Sequence, residues 1–85
     1  MTTQQINPIT LRQLGNAEPY QVPHAALVSA IQLAAPAPIT QSDAVASIRS
    51  CEGLGYIIGI TRQVDQVVLW KLTISGMAVL RELGN

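Results

Sequence analysis

The sequence contains few charged residues and no concentration of either sign. Charged side chains make up 12% of its 85 residues, and five basic residues balance five acidic ones. A typical soluble domain has about 25% charged residues. A small chain exposes much surface per residue, so this scarcity indicates exposed apolar area, which usually marks a protein partner. We expect a homodimer first, because most soluble oligomers are symmetric assemblies of one chain.

Cysteine, targeting signals and long apolar runs are also scarce or missing. Cys51 is the single cysteine, so it cannot form an internal disulfide, and no neighbouring Cys or His accompanies it as a metal ligand. Positions 1–20 show no apolar run behind a basic start, so we expect no signal peptide. Nothing approaches the roughly 18 consecutive apolar residues of a membrane span. We therefore expect a cytoplasmic protein with no cofactor and no membrane contact.

Side chains that could catalyse a reaction form no recognisable set. His24 is the only histidine, and nothing in the sequence places it beside Cys51, as a nucleophile and its base would require. Gly53 and Gly55 precede a predicted strand and Gly59 lies within it, whereas the glycines of a dinucleotide-binding loop follow a strand and open a helix. The sequence therefore predicts no enzyme and no small-molecule substrate.

The first half of the chain carries helix signals. Residues 1–7 are polar, and we expect them to be flexible. Residues 8–15 have partial helical spacing between Pro8 and Gly15, which is compatible with one short helix. An apolar stripe predicts a helix over 23–35, which Pro36 must end. A capping Thr40 or Ser42 predicts the next helix, over 41–52.

The second half carries strand signals and a final helix. Residues 56–62 and 67–72 are rich in β-branched and aromatic side chains and are joined by the polar segment QVDQ, which predicts a β-hairpin. Thr73 then caps a helix over 74–83, and Gly84 ends it. The prediction is a single small α+β domain over residues 8–85.

Two stretches of the second half resemble the MarR-like branch of the winged-helix superfamily. The stretch KLTISGMAVLREL matches the family pattern L-T-x-x-G-x-x-x-L, and IRSCEGLGYIIGITR loosely matches R-x-x-E-x-x-G-L-I. The resemblance covers about half of the chain and implies a winged-helix domain, with helices followed by a two-stranded wing and a C-terminal helix. Its matching positions are Leu72, Thr73, Gly76 and Leu80, and more loosely Arg49, Glu52, Gly53, Leu54 and Ile57.

The family has three helices before the wing, and the sequence leaves their identity open. If residues 9–15 are the first helix, the helix over 23–35 is an unusually long second one. If 23–35 is the first helix, one helix of the motif is missing or very short.

The resemblance implies a DNA-binding or transcription-regulatory module. In that case the helix over 41–52 is the recognition helix, and the wing contacts the DNA backbone or the minor groove. Arg and Gln can read base edges, and hydroxyl groups can bind phosphate. The alternative is a winged-helix scaffold that binds another protein and no DNA, which the low charge favours. The predicted DNA contacts are Gln41, Ser42, Ser47, Arg49, Ser50, Arg62, Gln63 and Lys71.

Overall fold

The computed structural model describes residues 1–84, which form four helices and a three-stranded antiparallel sheet. The predicted α+β class is thereby confirmed. In chain order the elements are α1 (Thr3–Ala17), β1 (Val22–Pro23), α2 (His24–Ala34), α3 (Gln41–Gly53), β2 (Ile57–Arg62), β3 (Val67–Leu72) and α4 (Ile74–Glu82).

The first helix is longer than predicted. We expected a flexible segment over 1–7 and a helix over 8–15, but α1 already begins at Thr3 and Ile6 is buried in the core. Thr2 caps the helix through a reciprocal capping box with Gln5. This cap and the burial of Ile6 hold the helix through Pro8, although proline supplies no backbone N–H to it.

The other helices begin and end close to the predicted residues. Thr40 is the residue that caps α3, and its hydroxyl accepts the Asp43 N–H at 3.1 Å. The Thr40 N–H donates back to the Asp43 carboxylate at 3.0 Å, which lowers the pKa of that side chain. Thr73 caps α4 by accepting the Gly76 N–H at 3.1 Å. Cap residues are thus the sequence signals that best located the helix starts.

The sheet has the strand order β1-β3-β2, with both neighbouring pairs antiparallel. The predicted hairpin forms as β2 and β3, in a continuous register from Ile57 opposite Leu72 to Arg62 opposite Val67. The short strand β1 was not predicted. It places Val22 opposite Trp70 on the other side of β3.

The core lies between the helices and one face of the sheet. Trp70 and Leu72 of β3 are buried there with Leu27, Ile31 and Ile48 of the helices. Gly59 lies beside the Trp70 ring, and a methyl group at Gly59 would stand 2.9 Å from Cζ3 of the indole. The glycine in β2 therefore makes room for the tryptophan.

No helix among residues 1–84 has the length and apolar character needed to cross a membrane.

Candidate interaction surfaces

The helix α3 has one face in the core and one face in solvent. Ala44, Ile48 and Cys51 are buried, whereas Ser42, Ala46 and Arg49 are exposed, at spacings of four and three residues along the opposite face. Gln41 is also exposed, at the first turn. The exposed face is therefore a row of small and polar side chains that leaves the helix accessible to a large ligand.

Two of the predicted DNA contacts on α3, Ser47 and Ser50, turn towards α1, and the full burial of Ser47 contradicts the contact predicted there. Ser47 is fully buried; its hydroxyl donates to Oδ1 of Asn7 at 2.7 Å and lies 2.8 Å from Oγ1 of Thr10. Ser50 is half-buried, and its hydroxyl accepts from Nδ2 of Asn7 at 3.1 Å. Both serines join α3 to α1, so they satisfy buried polar groups and do not face a ligand.

The β2–β3 turn carries the second predicted contact region. Arg62 and Gln63 are exposed there, and Val64 at the tip is 94% exposed. Nε of Arg62 donates to the Asp65 carboxylate at 3.0 Å, and this hydrogen bond lowers the pKa of Asp65. The pair closes the turn, and the Arg62 side chain remains half-exposed within it.

Lys71 does not lie beside the predicted contact Arg49. Side chains alternate between the two faces of a strand, so Lys71 of β3 points away from the face that carries the buried Trp70 and Leu72. Arg49, in contrast, lines a cavity with Trp70. The structure therefore brings Arg49 near the inner face of the hairpin and sets Lys71 on the outer face.

The cavity lies between α3, the start of α2 and the inner face of the hairpin. It has a volume of about 290 Å³, and its polar lining includes His24, Arg49, Glu52 and Thr61. Nη1 of Arg49 lies 3.5 Å from Oε1 of Glu52, and both side chains are exposed. The cavity is open, and its one cation already has a carboxylate neighbour. No group of three or more His, Cys, Asp or Glu side chains that could hold a metal ion occurs within residues 1–84.

His24, the first residue of α2, was not among the predicted contacts. It is half-buried, and its Nδ1 accepts the indole N–H of Trp70 at 3.1 Å. The sequence contains no local signal for this contact, because 46 residues separate the two side chains.

The outer face of the sheet forms an exposed apolar surface, which we call the outer apolar face. Ile58 and Ile60 of β2 are 51% and 44% exposed, and Val67 and Leu69 of β3 are half-buried beside them. In the register of the hairpin, Ile60 stands opposite Leu69, and Ile58 stands opposite Lys71. The sequence does not reveal this face, because apolar residues occupy both sides of β2 and obscure the alternation of apolar and polar side chains.

Neither a protein-family model, nor a curated protein, nor a solved structure matches this chain.

Proposed function

We propose that this chain is a winged-helix module of the cytoplasm that binds double-stranded DNA through α3 and the β2–β3 turn, without catalytic activity. The order of helices and strands supports the proposal, since three helices precede a hairpin and a fourth follows it. The short strand β1 pairs with β3 between the first two helices, so the sheet joins both halves of the motif. In this reading α1 is the first helix, α2 the second and α3 the recognition helix.

The accessible face of α3 is the observation that carries the proposal. Ser42, Ala46 and Arg49 are exposed along one side of the helix and Gln41 is exposed at its first turn, with no described element packed over them. An α-helix with small and polar side chains on its outer face fits the major groove. Gln41 can read base edges, Ser42 can bind phosphate, and Arg49 can do either; on random-sequence DNA we assign Arg49 to phosphate.

The charge of this surface sets the expected strength of binding. Arg49 and Arg62 are its two cations, and each has a carboxylate three residues further along the chain. Such exposed pairs contribute little in water, so a phosphate can replace the carboxylate. With two neutralised phosphates, a plot of the logarithm of the affinity against the logarithm of the salt concentration should have a slope of about −2 per protomer. We therefore expect weak binding with a shallow salt dependence.

Fluorescence anisotropy of a labelled random-sequence duplex tests the proposal. Arg49→Gln should weaken binding several-fold, because it removes one of two phosphate contacts. Glu52→Gln should strengthen binding, because it removes a negative charge and releases Arg49 from its neighbour. Arg81→Gln is the matched control: Arg81 is exposed on α4, so its loss should leave the affinity nearly unchanged.

The absence of DNA binding at low salt would overturn the proposal. At low salt, electrostatic attraction to DNA is strongest. If the folded protein does not bind DNA at low salt, α3 is not a DNA-binding helix. Equal weakening by Arg49→Gln and Arg81→Gln would indicate attraction to the whole surface and no defined interface.

The second candidate function is a winged-helix scaffold for protein contacts. It is favoured by the outer apolar face, where Ile58 and Ile60 are exposed side by side on β2. Exposed contiguous apolar surface commonly marks a protein interface. Lys71 lies at this face and not beside Arg49, which fits a mixed protein-binding surface better than a basic DNA-binding one.

A further inference from the structure

The strand β2 lies at one edge of the sheet, with a single strand neighbour. The hydrogen bonds at the two ends of β2 show which of its residues bond to β3. The Tyr56 carbonyl accepts the Thr73 N–H at 3.0 Å, and the Arg62 carbonyl accepts the Gln66 N–H at 2.8 Å. Alternate residues of an antiparallel strand bond to the same neighbour. The even-numbered residues of this segment therefore bond towards β3.

The odd-numbered residues consequently present their backbone groups to the open edge. Within residues 1–84 no loop, cap or side chain forms a hydrogen bond with the backbone of Ile57, Gly59 or Thr61 outside the ladder with β3. A row of free N–H and C=O groups is a template for another strand. The residues concerned are Ile57, Gly59 and Thr61.

The usual protections of an edge strand are missing from β2. Protected edges are short or carry proline, bulges or inward-pointing charges. In contrast, β2 is six residues long, contains no proline and keeps a continuous register with β3. The opposite edge is protected, because β1 has only two residues and the second is Pro23. The sheet thus has one long edge that can accept a strand.

We infer that the open edge of β2 pairs with the same edge of a second copy, antiparallel, about a two-fold axis at Gly59. This register sets Ile57 opposite Thr61 of the second copy in hydrogen-bonded pairs. It also sets Ile58 opposite Ile60 of the second copy on the outer apolar face. Cross-strand pairs of β-branched side chains stabilise antiparallel sheets.

The side chains of β2 favour a second copy over an unrelated strand. The sequence of β2 is its own complement in this register, because each isoleucine on the outer face meets another isoleucine. The charges beside the edge do not oppose the approach, since Arg49 and Glu52 line the adjoining cavity with opposite signs. Pairing also stops at two copies, because each copy has one long edge and a two-fold contact uses both. The dimer does not depend on DNA binding.

Sedimentation equilibrium over a range of concentrations is the first test. The wild-type protein should form a dimer, and Ile60→Lys should weaken it by at least about tenfold, because a lysine would face the apolar partner strand. Val64→Lys is the matched control. It adds the same charge and removes an apolar side chain that is 94% exposed at the turn, and it should leave the dimer intact.

Thr61→Pro tests the backbone contribution at the same edge. The Thr61 N–H faces away from β3, so proline removes a donor that the hairpin does not use. The variant should remain folded, as judged by circular dichroism, and should be monomeric. Thr61→Ala, which retains the N–H, should remain a dimer.

Cysteine cross-linking tests the register. In this register residues 58 and 60 of two copies form non-hydrogen-bonded pairs, whose Cα atoms lie about 4.5 Å apart and within reach of a disulfide. The double variant Ile58→Cys with Ile60→Cys should therefore yield an oxidised dimer, and each single variant should not. Cys51 is buried and does not compete.

Several results would overturn the inference. These are a wild-type monomer at every concentration, a dimer that Ile60→Lys and Thr61→Pro leave intact, and fibres in place of a closed dimer. Single cysteine variants that cross-link as readily as the double variant would exclude the proposed axis.

Discussion

The indole N–H of Trp70 donates a hydrogen bond to Nδ1 of His24, with 3.1 Å between the nitrogens. The contact joins the middle of β3 to the first residue of α2. Trp70 is 2% exposed, so its N–H has little access to water. The histidine thus supplies the partner that a buried tryptophan needs, and it fixes where α2 begins relative to the sheet.

We predict that His24→Ala lowers the free energy of unfolding by about 1–3 kcal/mol, the usual cost of leaving a buried donor without a partner. Trp70 is the only tryptophan, so its fluorescence during urea unfolding measures the change directly. His24→Gln retains a side-chain acceptor and should recover part of the loss. Equal stability of the alanine variant and the wild type would show that the hydrogen bond contributes nothing to the fold.

The sequence predicted the elements whose signals are local. Thr40 and Thr73 cap their helices as expected, and the β-branched segments form the hairpin. The start of α1 was missed because Pro8 resembled a first-turn proline, although Thr2 and Gln5 have the spacing of a capping box. The two-residue strand β1 has no sequence signal, since its pairing with β3 depends on the tertiary fold.

Gly76 lies where the backbone of α4 comes close to the residue before β2. A Cβ at Gly76 would overlap the Tyr56 carbonyl. We predict that Gly76→Ala lowers the free energy of unfolding by about 3 kcal/mol or more, because backbone atoms cannot move aside as a side chain can.

Gly53→Ala is the control for this prediction. Gly53 is also helical, at the end of α3, but a Cβ there would meet no atom within 4 Å. Alanine has a higher helix propensity than glycine by about 1 kcal/mol at interior positions. Gly53→Ala should therefore leave stability unchanged or raise it slightly in the same urea titration. Similar losses for both variants would mean that the Tyr56 contact is not responsible.

Part of the interaction surface was predictable and part was not. Ser47 was assigned to the DNA-facing side because it is polar, yet it lies three residues after Ala44 and four before Cys51, in the buried stripe. Helical spacing would have placed it correctly. The partners Asn7 and Thr10, which satisfy its hydroxyl, belong to a helix about 40 residues earlier, and no local pattern reveals them.

The buried position of Ser47 leads to a prediction that separates stability from binding. Ser47→Ala should lower the free energy of unfolding by about 1–3 kcal/mol, because Thr10 and Asn7 lose a buried partner. Ser42→Ala, at an exposed position of the same helix, should leave stability unchanged. In DNA titrations of the folded proteins, Ser42→Ala should change the affinity and Ser47→Ala should not. An effect of Ser47→Ala on affinity without loss of stability would contradict the structure.

Cys51 gives a prediction about pH. Burial raises the pKa of its thiol from 9.0 to about 11, because the thiolate is desolvated, while a hydrogen bond with Ser47 acts in the opposite direction. A folded-state pKa above the unfolded value means that the contribution to stability is complete below pH 9 and is lost as the pH rises towards 11. The free energy of unfolding should therefore fall across this interval. The native thiol should also react slowly with a disulfide reagent at pH 8 and rapidly in urea, since the thiolate is the reactive form.

The variant Cys51→Ala isolates this titration. It removes the thiol and leaves a small cavity, so its stability should be lower than that of the wild type at pH 7. The decline between pH 9 and pH 11 should be shallower in this variant, because only the other groups still titrate. Urea titrations at several pH values would measure both slopes. Parallel slopes for the two proteins would show that Cys51 does not control stability in this range, and rapid reaction of the native thiol at pH 8 would show that it is not buried.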